Sequence, residues 1–285
     1  MQRSSKVAII AVVVAAISAR ADAALIAYEG FDYPADPNGL NSQNGGIGWS
    51  TDWNLGNSAI IAGGFNYTDG SGNSLVTVAN RASTDENGAG NFRSLPILRN
   101  AGTVYFSFLL RNTNATSSSN YAGFSLFAGL SERIFFGETN FFNGPLGHEQ
   151  IGTTVTQFPG TNASLLNFVV VKLEFNAGTT AGNEKAAIFV NPSLASEPSS
   201  TPYLLTNLTN FGFDTVRIQS GRTAGSSPVE ICDIDEIRFG DTYADVTPHV
   251  IPEPHVFGFS VLGLLPMLIL RRNTTCSSSP PRRHV

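Results

Sequence analysis

Four carboxylates lie close together in the segment EICDIDEI, residues 230–237. They are Glu230, Asp233, Asp235 and Glu236. Because side chains alternate between the two faces of a strand, we expect Asp233 and Asp235 to share one face and Glu236 to lie on the other with Ile234. Two carboxylates on one face can flank a glycosidic bond, hold Ca²⁺ or bind a sugar hydroxyl.

A structural role for these carboxylates is the alternative, and we favour it. Arg217 and Arg238 are available to form ion pairs, and backbone amides near a strand end can donate hydrogen bonds to Asp235 or Glu236. On this interpretation the segment stabilises the fold and binds nothing.

Two tryptophans, Trp49 and Trp53, occur in GWSTDW and could stack on a sugar ring. Tryptophans near an N-terminal strand more often cover an edge of the core, which is the interpretation we favour. We keep Trp49, Trp53, Asp233 and Asp235 as candidate ligand-binding residues.

Three other motifs lead to no site. DGSGN at Asp69–Asn73 begins like a calcium loop, but its twelfth position is Asn80 rather than Glu, so we predict a hairpin turn. His148-Glu149 lacks the second histidine of a zinc-binding helix. The sequence contains no G-x-S-x-G, which excludes an elbow-type serine nucleophile.

The elements that must position these residues are strands. Apolar residues alternate at period two in five runs, with turn-forming residues between the runs and no helical periodicity. This pattern predicts an all-β fold, a two-sheet antiparallel sandwich or jelly roll. The five runs are TVYFSFLLR, FVVVKLEF, AAIFVN, DTVRIQS and EICDIDEIRF.

Charge and cysteine content exclude several classes of protein. The net charge is −5 and no basic cluster lies in the middle of the chain, so we expect no nucleic-acid partner. The two cysteines are Cys232, in a predicted strand, and Cys276, far beyond it. We therefore expect neither a structural disulfide nor a zinc site.

The N-terminus has the three parts of a secretory signal peptide. The first six residues carry two positive charges, Val7–Ile17 is almost wholly apolar, and Ala21–Ala23 is a small-x-small cleavage site. A buried helix is the alternative. We predict a signal peptide at 1–23, removed by signal peptidase, and a folded domain at 24–248.

The C-terminus carries a second apolar segment. Pro252-Glu253-Pro254 precedes an apolar run at Val256–Leu270, and Arg271-Arg272 follows. As a helix this run would span roughly 22 Å, which is short for a hydrocarbon core of about 30 Å. The segment 249–272 resembles the PEP-CTERM sorting signal of Gram-negative bacteria, although a polar basic tail at 273–285 extends past the usual end.

That resemblance implies an exported protein held briefly in the inner membrane. An exosortase-like transpeptidase would then cut near the motif, and the product would reach the cell surface or extracellular matrix. An ordinary C-terminal membrane anchor is the alternative interpretation.

Six segments, taken together and in their order along the chain, resemble exported bacterial proteins with a LamG-like domain of the concanavalin A-like lectin/glucanase type. This resemblance implies a jelly roll with one concave sheet, and it implies no single activity because the fold hosts lectins, glycosidases and adhesive modules. The segments are ALIAYEGFDYPA, FSFLLRN, ERIFFGE, VVVKLEF, FVNPS and IDEIRFGDTYADVTP.

The glycosidases among the concanavalin A-like proteins that this chain resembles carry carboxylates at positions i, i+2 and i+4 of one strand. Ile231 and Ile237 occupy the positions on either side of Asp233 and Asp235, so the third carboxylate is missing. We therefore predict that the chain is not an enzyme and needs no cofactor, with Ca²⁺ possible but unsupported.

The sequence leaves three hypotheses. The first is a non-enzymatic surface or matrix protein associated with exopolysaccharide. The second is a carbohydrate-binding, lectin-like module that binds on its concave sheet, and the third is a divergent glycoside hydrolase.

Overall fold

The structure, a computed structural model, describes most of the predicted domain. The predicted signal peptide, the sorting motif Pro252-Glu253-Pro254 with Arg271-Arg272, the tail and Cys276 lie outside the described residues. Within them, no helix has the length and apolar character needed to cross a membrane. The described ranges are 25–78, 80–84, 90–113, 120–141, 144–151, 154–175, 184–201, 203–222 and 230–251.

The described residues form sixteen strands and one short helix. In chain order they are β1 (Leu25–Glu29), β2 (Ala59–Ala62), β3 (Ser74–Leu75), β4 (Asn80–Ser83), β5 (Asn91–Arg99), β6 (Gly102–Thr113), β7 (Asn120–Ala128), β8 (Ser131–Glu138), β9 (Gly147–Gln150), β10 (Thr154–Gln157), β11 (Asn167–Phe175), β12 (Glu184–Val190), β13 (Tyr203–Leu208), β14 (Phe213–Arg222), β15 (Ile231–Gly240), α1 (Tyr243–Val246) and β16 (His249–Val250).

Two antiparallel sheets pack face to face. The larger sheet has eight strands in the order β13-β12-β11-β6-β15-β4-β2, with β1 also paired to β15. The smaller sheet has six strands in the order β10-β9-β8-β7-β14-β5. β3 and β16 form a two-stranded ribbon that is not hydrogen-bonded to either sheet. The predicted all-β antiparallel sandwich is confirmed, and all five predicted strand runs fall on strands.

The space between the sheets is filled largely by phenylalanine. Phe106 of the larger sheet stacks on Phe239 at 5.3 Å between ring centroids, and Phe108 stacks on Phe124 of the smaller sheet at 5.0 Å. Burial of each such ring contributes about 1.5–3 kcal/mol. The free thiol of Cys232 lies in the same core, and burial raises its pKa.

The larger sheet is buried on both faces. In β6, Val104, Phe106 and Phe108 point into the sandwich, whereas Tyr105 and Leu109 lie in a second apolar cluster on the outer face. Strand β11 divides its side chains in the same way. A sheet with two apolar faces needs a cover on each side.

The outer face of the larger sheet has such a cover, which we call the covering layer: residues 64–78, 192–197 and 241–250. Phe65, Leu75, Leu194, Tyr243 and Val246 from this layer pack on the strands beneath. Their contacts form the second apolar cluster of the domain.

A bulge interrupts β15 at the carboxylate segment. Glu236 has a φ of 55°, and the register with β6 shifts between Asp235 and Arg238. The shift places Ile237 in the core beside Ile234. The expectation that Glu236 lies on the core face with Ile234 is therefore wrong, because unbroken alternation does not anticipate an extra residue in the ladder.

Candidate functional site

The predicted candidates Asp233 and Asp235 lie on the outer face of the larger sheet, beneath the covering layer. The Asp233 carboxylate forms ion pairs with Arg81 at 3.2 Å and with Arg111 at 2.7 Å. Both guanidinium groups also lie over the ring of Phe65, at 5.2 and 4.9 Å from its centroid. Asp233 is thus surrounded by protein groups and is only 5% exposed.

Asp235 is fully buried and accepts hydrogen bonds from two backbone amides. These come from Phe65 at 2.8 Å and from Glu236 at 2.9 Å. Burial, followed by the negative charge of Glu236, raises the pKa of Asp235 to about 8. Backbone amides are among the partners that the structural interpretation expected.

Glu236 is also satisfied inside the protein. It pairs with Arg238, and it accepts hydrogen bonds from the backbone N–H of Val78 and from the Tyr28 hydroxyl at 3.0 Å. Burial raises its pKa in spite of these partners. The predicted pairing with Arg238 is confirmed, whereas Arg217 lies on the other sheet.

The two tryptophans cover an edge of the core. Trp53 is fully buried, and its Nε1 donates to the Glu29 carboxylate at 2.9 Å. Trp49 is half-buried and donates to the Tyr28 carbonyl oxygen at 2.9 Å. The Arg93 guanidinium lies over both rings, at 5.0 and 5.7 Å from their centroids.

The DGSGN segment is a hairpin turn, as predicted, with Thr68 and Ser74 bridged across it. Burial disfavours the charge on Asp69, but hydrogen bonds from Asn73, Leu194 and Ser71 outweigh it and lower its pKa to about 2. Its oxygens therefore hold the covering layer together. Among the described residues, no group of three or more His, Cys, Asp or Glu side chains is arranged to hold a metal ion.

The outer face of the smaller sheet carries a cavity of about 370 Å³, which we call the sheet pocket. It lies on the opposite side of the sandwich from Asp233 and Asp235, and residues on or directly after four adjacent strands line it. They are Tyr121, Glu132, Phe135, Thr139, Asn140, Glu149, Ile151, Arg217 and Gln219.

Glu132 is the centre of a polar network in the sheet pocket. Its carboxylate accepts hydrogen bonds from Ser125 at 2.6 Å and from Gln219 at 3.1 Å, and it pairs with Arg217 at 2.9 Å. Gln219 also donates to the Ser125 hydroxyl at 2.9 Å. Partners on two strands, β7 and β14, hold this carboxylate in one position, which pre-organises the polar floor for a ligand.

Arg217 is held from two directions. Besides Glu132, its guanidinium lies over the rings of Phe127 and Phe92, at 4.6 and 5.4 Å from their centroids. Burial lowers its pKa, and the charge of Glu132 opposes that change. A stacked and paired arginine of this kind is a rigid part of the floor.

The aromatic wall of the sheet pocket depends on a glycine. Tyr121 lies opposite Gly221 in the β7–β14 ladder. A Cβ at Gly221 would lie 2.4 Å from the Tyr121 hydroxyl oxygen and 2.5 Å from its Cζ. The missing side chain therefore lets the tyrosine ring lie across the neighbouring strand, edge-on to Phe135 at 6.5 Å.

Glu149 is the carboxylate of the sheet pocket that no protein group neutralises. The described residues provide it with no side-chain ion pair or hydrogen bond, and burial followed by the charge of Glu132 raises its pKa. Its neighbour His148 points into the core, where burial lowers its pKa to about 4. The dipeptide that fails as a zinc motif thus supplies one core residue and one pocket residue.

Sequence reasoning did not select the sheet pocket. Its residues come from the consecutive strands β7, β8 and β9 and from the distant strand β14, so no single local motif marks them. The usable signal is the alternation of polar or small residues with core residues, as at Arg217 and Gln219 in DTVRIQS.

A scan against protein-family models and a search of curated proteins found no match to this chain. The LamG-like and PEP-CTERM resemblances therefore remain predictions.

Three solved structures illustrate the similarities in fold. The botulinum neurotoxin serotype D binding domain has 12% sequence identity and a TM-score of 0.39 over 73% of this chain and 49% of that one. A Trypanosoma rangeli sialidase has 10% identity and a TM-score of 0.40 over 78% and 32%. A chain described under endo-acting O-glycanases of the human gut microbiota has 8% identity and a TM-score of 0.42 over 76% and 98%.

This chain spans about half the length of the toxin binding domains that it matches. At these identities and TM-scores, the similarities carry no conclusion about ligand or activity. The fold assignment rests on the strand topology, and the candidate site rests on the sheet pocket.

Proposed function

We propose that this chain is a carbohydrate-binding protein whose site is the sheet pocket. The observation that carries the proposal is one open cavity in which an aromatic wall adjoins a pre-organised polar floor. The C–H face of a sugar ring packs on an aromatic ring, and its hydroxyls exchange hydrogen bonds with carboxylates and amides. Tyr121 provides the ring, and Glu149 and Asn140 provide polar groups at the wall.

The charges of the sheet pocket favour neutral or amino sugars. Arg217 balances Glu132, which leaves the negative charge of Glu149 without a partner among the residues that the structure describes. A uronate or other acidic sugar would be repelled, whereas a hydroxyl or an ammonium group could donate to Glu149.

Retention on a panel of polysaccharides tests this proposal. The full chain should be retarded in affinity gels that contain neutral or amino polysaccharides and should migrate freely in gels of polyuronate. Retention only by polyuronate, or by none of the panel, would contradict it.

The proposal extends to where the protein works. The predicted signal peptide and sorting motif support an exported protein that is anchored in the inner membrane, processed by an exosortase-like transpeptidase and then bound to exopolysaccharide. Replacing Pro252-Glu253-Pro254 with alanines should leave full-length protein in the membrane fraction of the native host. Mature wild-type protein that still ends at Val285 would contradict the sorting prediction.

Hydrolysis is the second candidate function, and the pair of carboxylates in the sheet pocket is the observation that favours it. Glu149, with its raised pKa, would act as the acid, and Glu132, which pairs with Arg217, would be the second carboxylate. Release of reducing ends by the wild type, abolished in Glu149→Gln, would establish this activity. Binding without release keeps the protein non-enzymatic, as the sequence predicts.

A further inference from the structure

Three polar side chains meet between the sheets at one end of the sandwich. Asn112 of β6 lies opposite Cys232 of β15, and Glu230 is the residue directly before β15. The Asn112 Nδ2 donates to the Ala122 carbonyl oxygen of the smaller sheet at 3.2 Å. Ala122 lies opposite Glu138 in the β7–β8 ladder. This arrangement brings Asn112, Glu138 and Glu230 together across the core, and we call them the buried acceptor cluster.

The buried acceptor cluster has too many hydrogen-bond acceptors and too few donors. Asn112 is 1% exposed, and Glu138 and Glu230 are fully buried. Among the described residues, both oxygens of Glu230, Oε2 of Glu138 and Oδ1 of Asn112 have no hydrogen-bond donor. Oε1 of Glu138 accepts a hydrogen bond from the backbone N–H of Gly144 at 2.7 Å.

No positive side chain compensates these oxygens. Among the described residues, no lysine, arginine or histidine forms an ion pair with Glu138 or Glu230. Buried acceptors without donors are costly, so the cluster requires a proton or a cation.

A divalent cation satisfies the cluster better than a proton does. A single shared proton donates one hydrogen bond and leaves the other oxygens unpaired. A dication neutralises both carboxylates, and carboxylate and amide oxygens are the ligands that Ca²⁺ prefers.

We propose that Asn112, Glu138 and Glu230 bind one divalent cation of the Ca²⁺ type between the two sheets. The site is separate from Asp233 and Asp235, which already have protein partners. It also adjoins the sheet pocket, because Thr139 and Asn140 of the pocket directly follow Glu138. A bound cation would thus tie the edge of the sheet pocket to the core.

Equilibrium dialysis and thermal unfolding test the proposal on the full chain, stripped of metal and kept in mild detergent. Wild-type protein should bind one Ca²⁺ per chain, and millimolar Ca²⁺ should raise its Tm by several degrees, since a ligand that binds only the folded state stabilises it. Mg²⁺ is the second probe, and a smaller shift is expected because it demands a stricter geometry.

Variants at single carboxylates locate the effect. Glu230→Gln keeps the shape and removes one charge, so it should abolish both Ca²⁺ binding and the Tm shift. Asp241→Asn removes an exposed carboxylate outside the cluster and should keep both. If Glu230→Gln does not fold, dialysis of the wild type decides alone. Absence of bound Ca²⁺ and Mg²⁺, or a Ca²⁺-induced shift that persists in a folded Glu230→Gln, would overturn the proposal.

Discussion

The outer faces of the two sheets carry similar residue types, but one face is covered by other segments of the chain and the other is open. On the larger sheet, the covering layer buries Asp233 and Asp235, and protein groups pair with both. On the smaller sheet, the sheet pocket leaves Glu149 half-buried, and no side chain in the described part of the chain pairs with it. Asp233 and Glu132 both pair with an arginine. Such a pair therefore indicates a ligand site only where the surface above it is open to solvent.

The tyrosines of the two faces show the same contrast. Tyr243 of the covering layer packs edge-on against Tyr105 and Phe189 and is buried. Tyr121 stands at the wall of an open cavity, with its ring laid across Gly221. The first ring stabilises the cover, and the second remains available to a ligand.

Loss of a carboxylate on the covered face should have the largest effect on stability. Asp235→Ala leaves the buried amides of Phe65 and Glu236 without an acceptor, so the free energy of unfolding should fall by about 2–4 kcal/mol. Asp235→Asn keeps an acceptor oxygen and should lose less than about 1 kcal/mol. Denaturant unfolding measures both values. Equal losses would show that the amides do not depend on this oxygen.

The same residue should make stability depend on pH. The folded state holds the Asp235 proton up to a pKa of about 8, against an ordinary value of 3.8, so the folded state binds the proton more tightly than the unfolded chain does. Wild-type stability should therefore fall as pH rises between these values, relative to Asp235→Asn, which has no proton to lose. Parallel pH curves for the two proteins would contradict the assignment.

On the open face, a single methyl group should weaken glycan binding without unfolding the protein. The new Cβ of Gly221→Ala would push the Tyr121 ring off its neighbouring strand, and we expect the affinity for a bound glycan to fall by about 3–10-fold. Gly70→Ala is the matched control, because its Cβ would meet no atom within 4 Å. Calorimetric titration that shows equal affinities for both variants would contradict the role of the ring.

Removal of the unpaired charge should have the smallest effect. Glu149→Gln should change the affinity for a neutral glycan by less than about fivefold, because one partly exposed charge contributes less than about 1 kcal/mol. It should also increase retention on polyuronate gels, since the repelling charge is gone. Unchanged exclusion of polyuronate would show that Glu149 does not set the charge preference.

The sequence predicted the strands well and the sites poorly, for identifiable reasons. Alternation predicted β6 and β11 as strands with one buried face, yet it could not show that the outer face is also covered, because Phe65 and Tyr243 of the cover are distant in the chain. The bulge at Glu236 could not be predicted either, because a positive φ at a glutamate leaves no mark in the residue pattern.

The sheet pocket was missed because its contacts are long-range. Glu132 and Arg217 are separated by 85 residues and meet only through strand order. The aromatic candidates drew attention by residue type alone, and Trp53 proved to be a fully buried donor to Glu29. Burial and strand order decide which of these side chains can reach a ligand, and a local sequence motif specifies neither of them.

The central claim is that glycan binds the open face of the smaller sheet, and one titration series tests it directly. A polysaccharide retained by the wild-type chain is titrated into Tyr121→Ala, Tyr121→Phe and Trp49→Ala. Affinity should fall by about tenfold or more in Tyr121→Ala, equivalent to at least ~1.4 kcal/mol, and should change little in Tyr121→Phe, which keeps the ring, and in Trp49→Ala. Loss of binding in Trp49→Ala with full affinity in Tyr121→Ala would contradict the claim and move the site to the tryptophan edge.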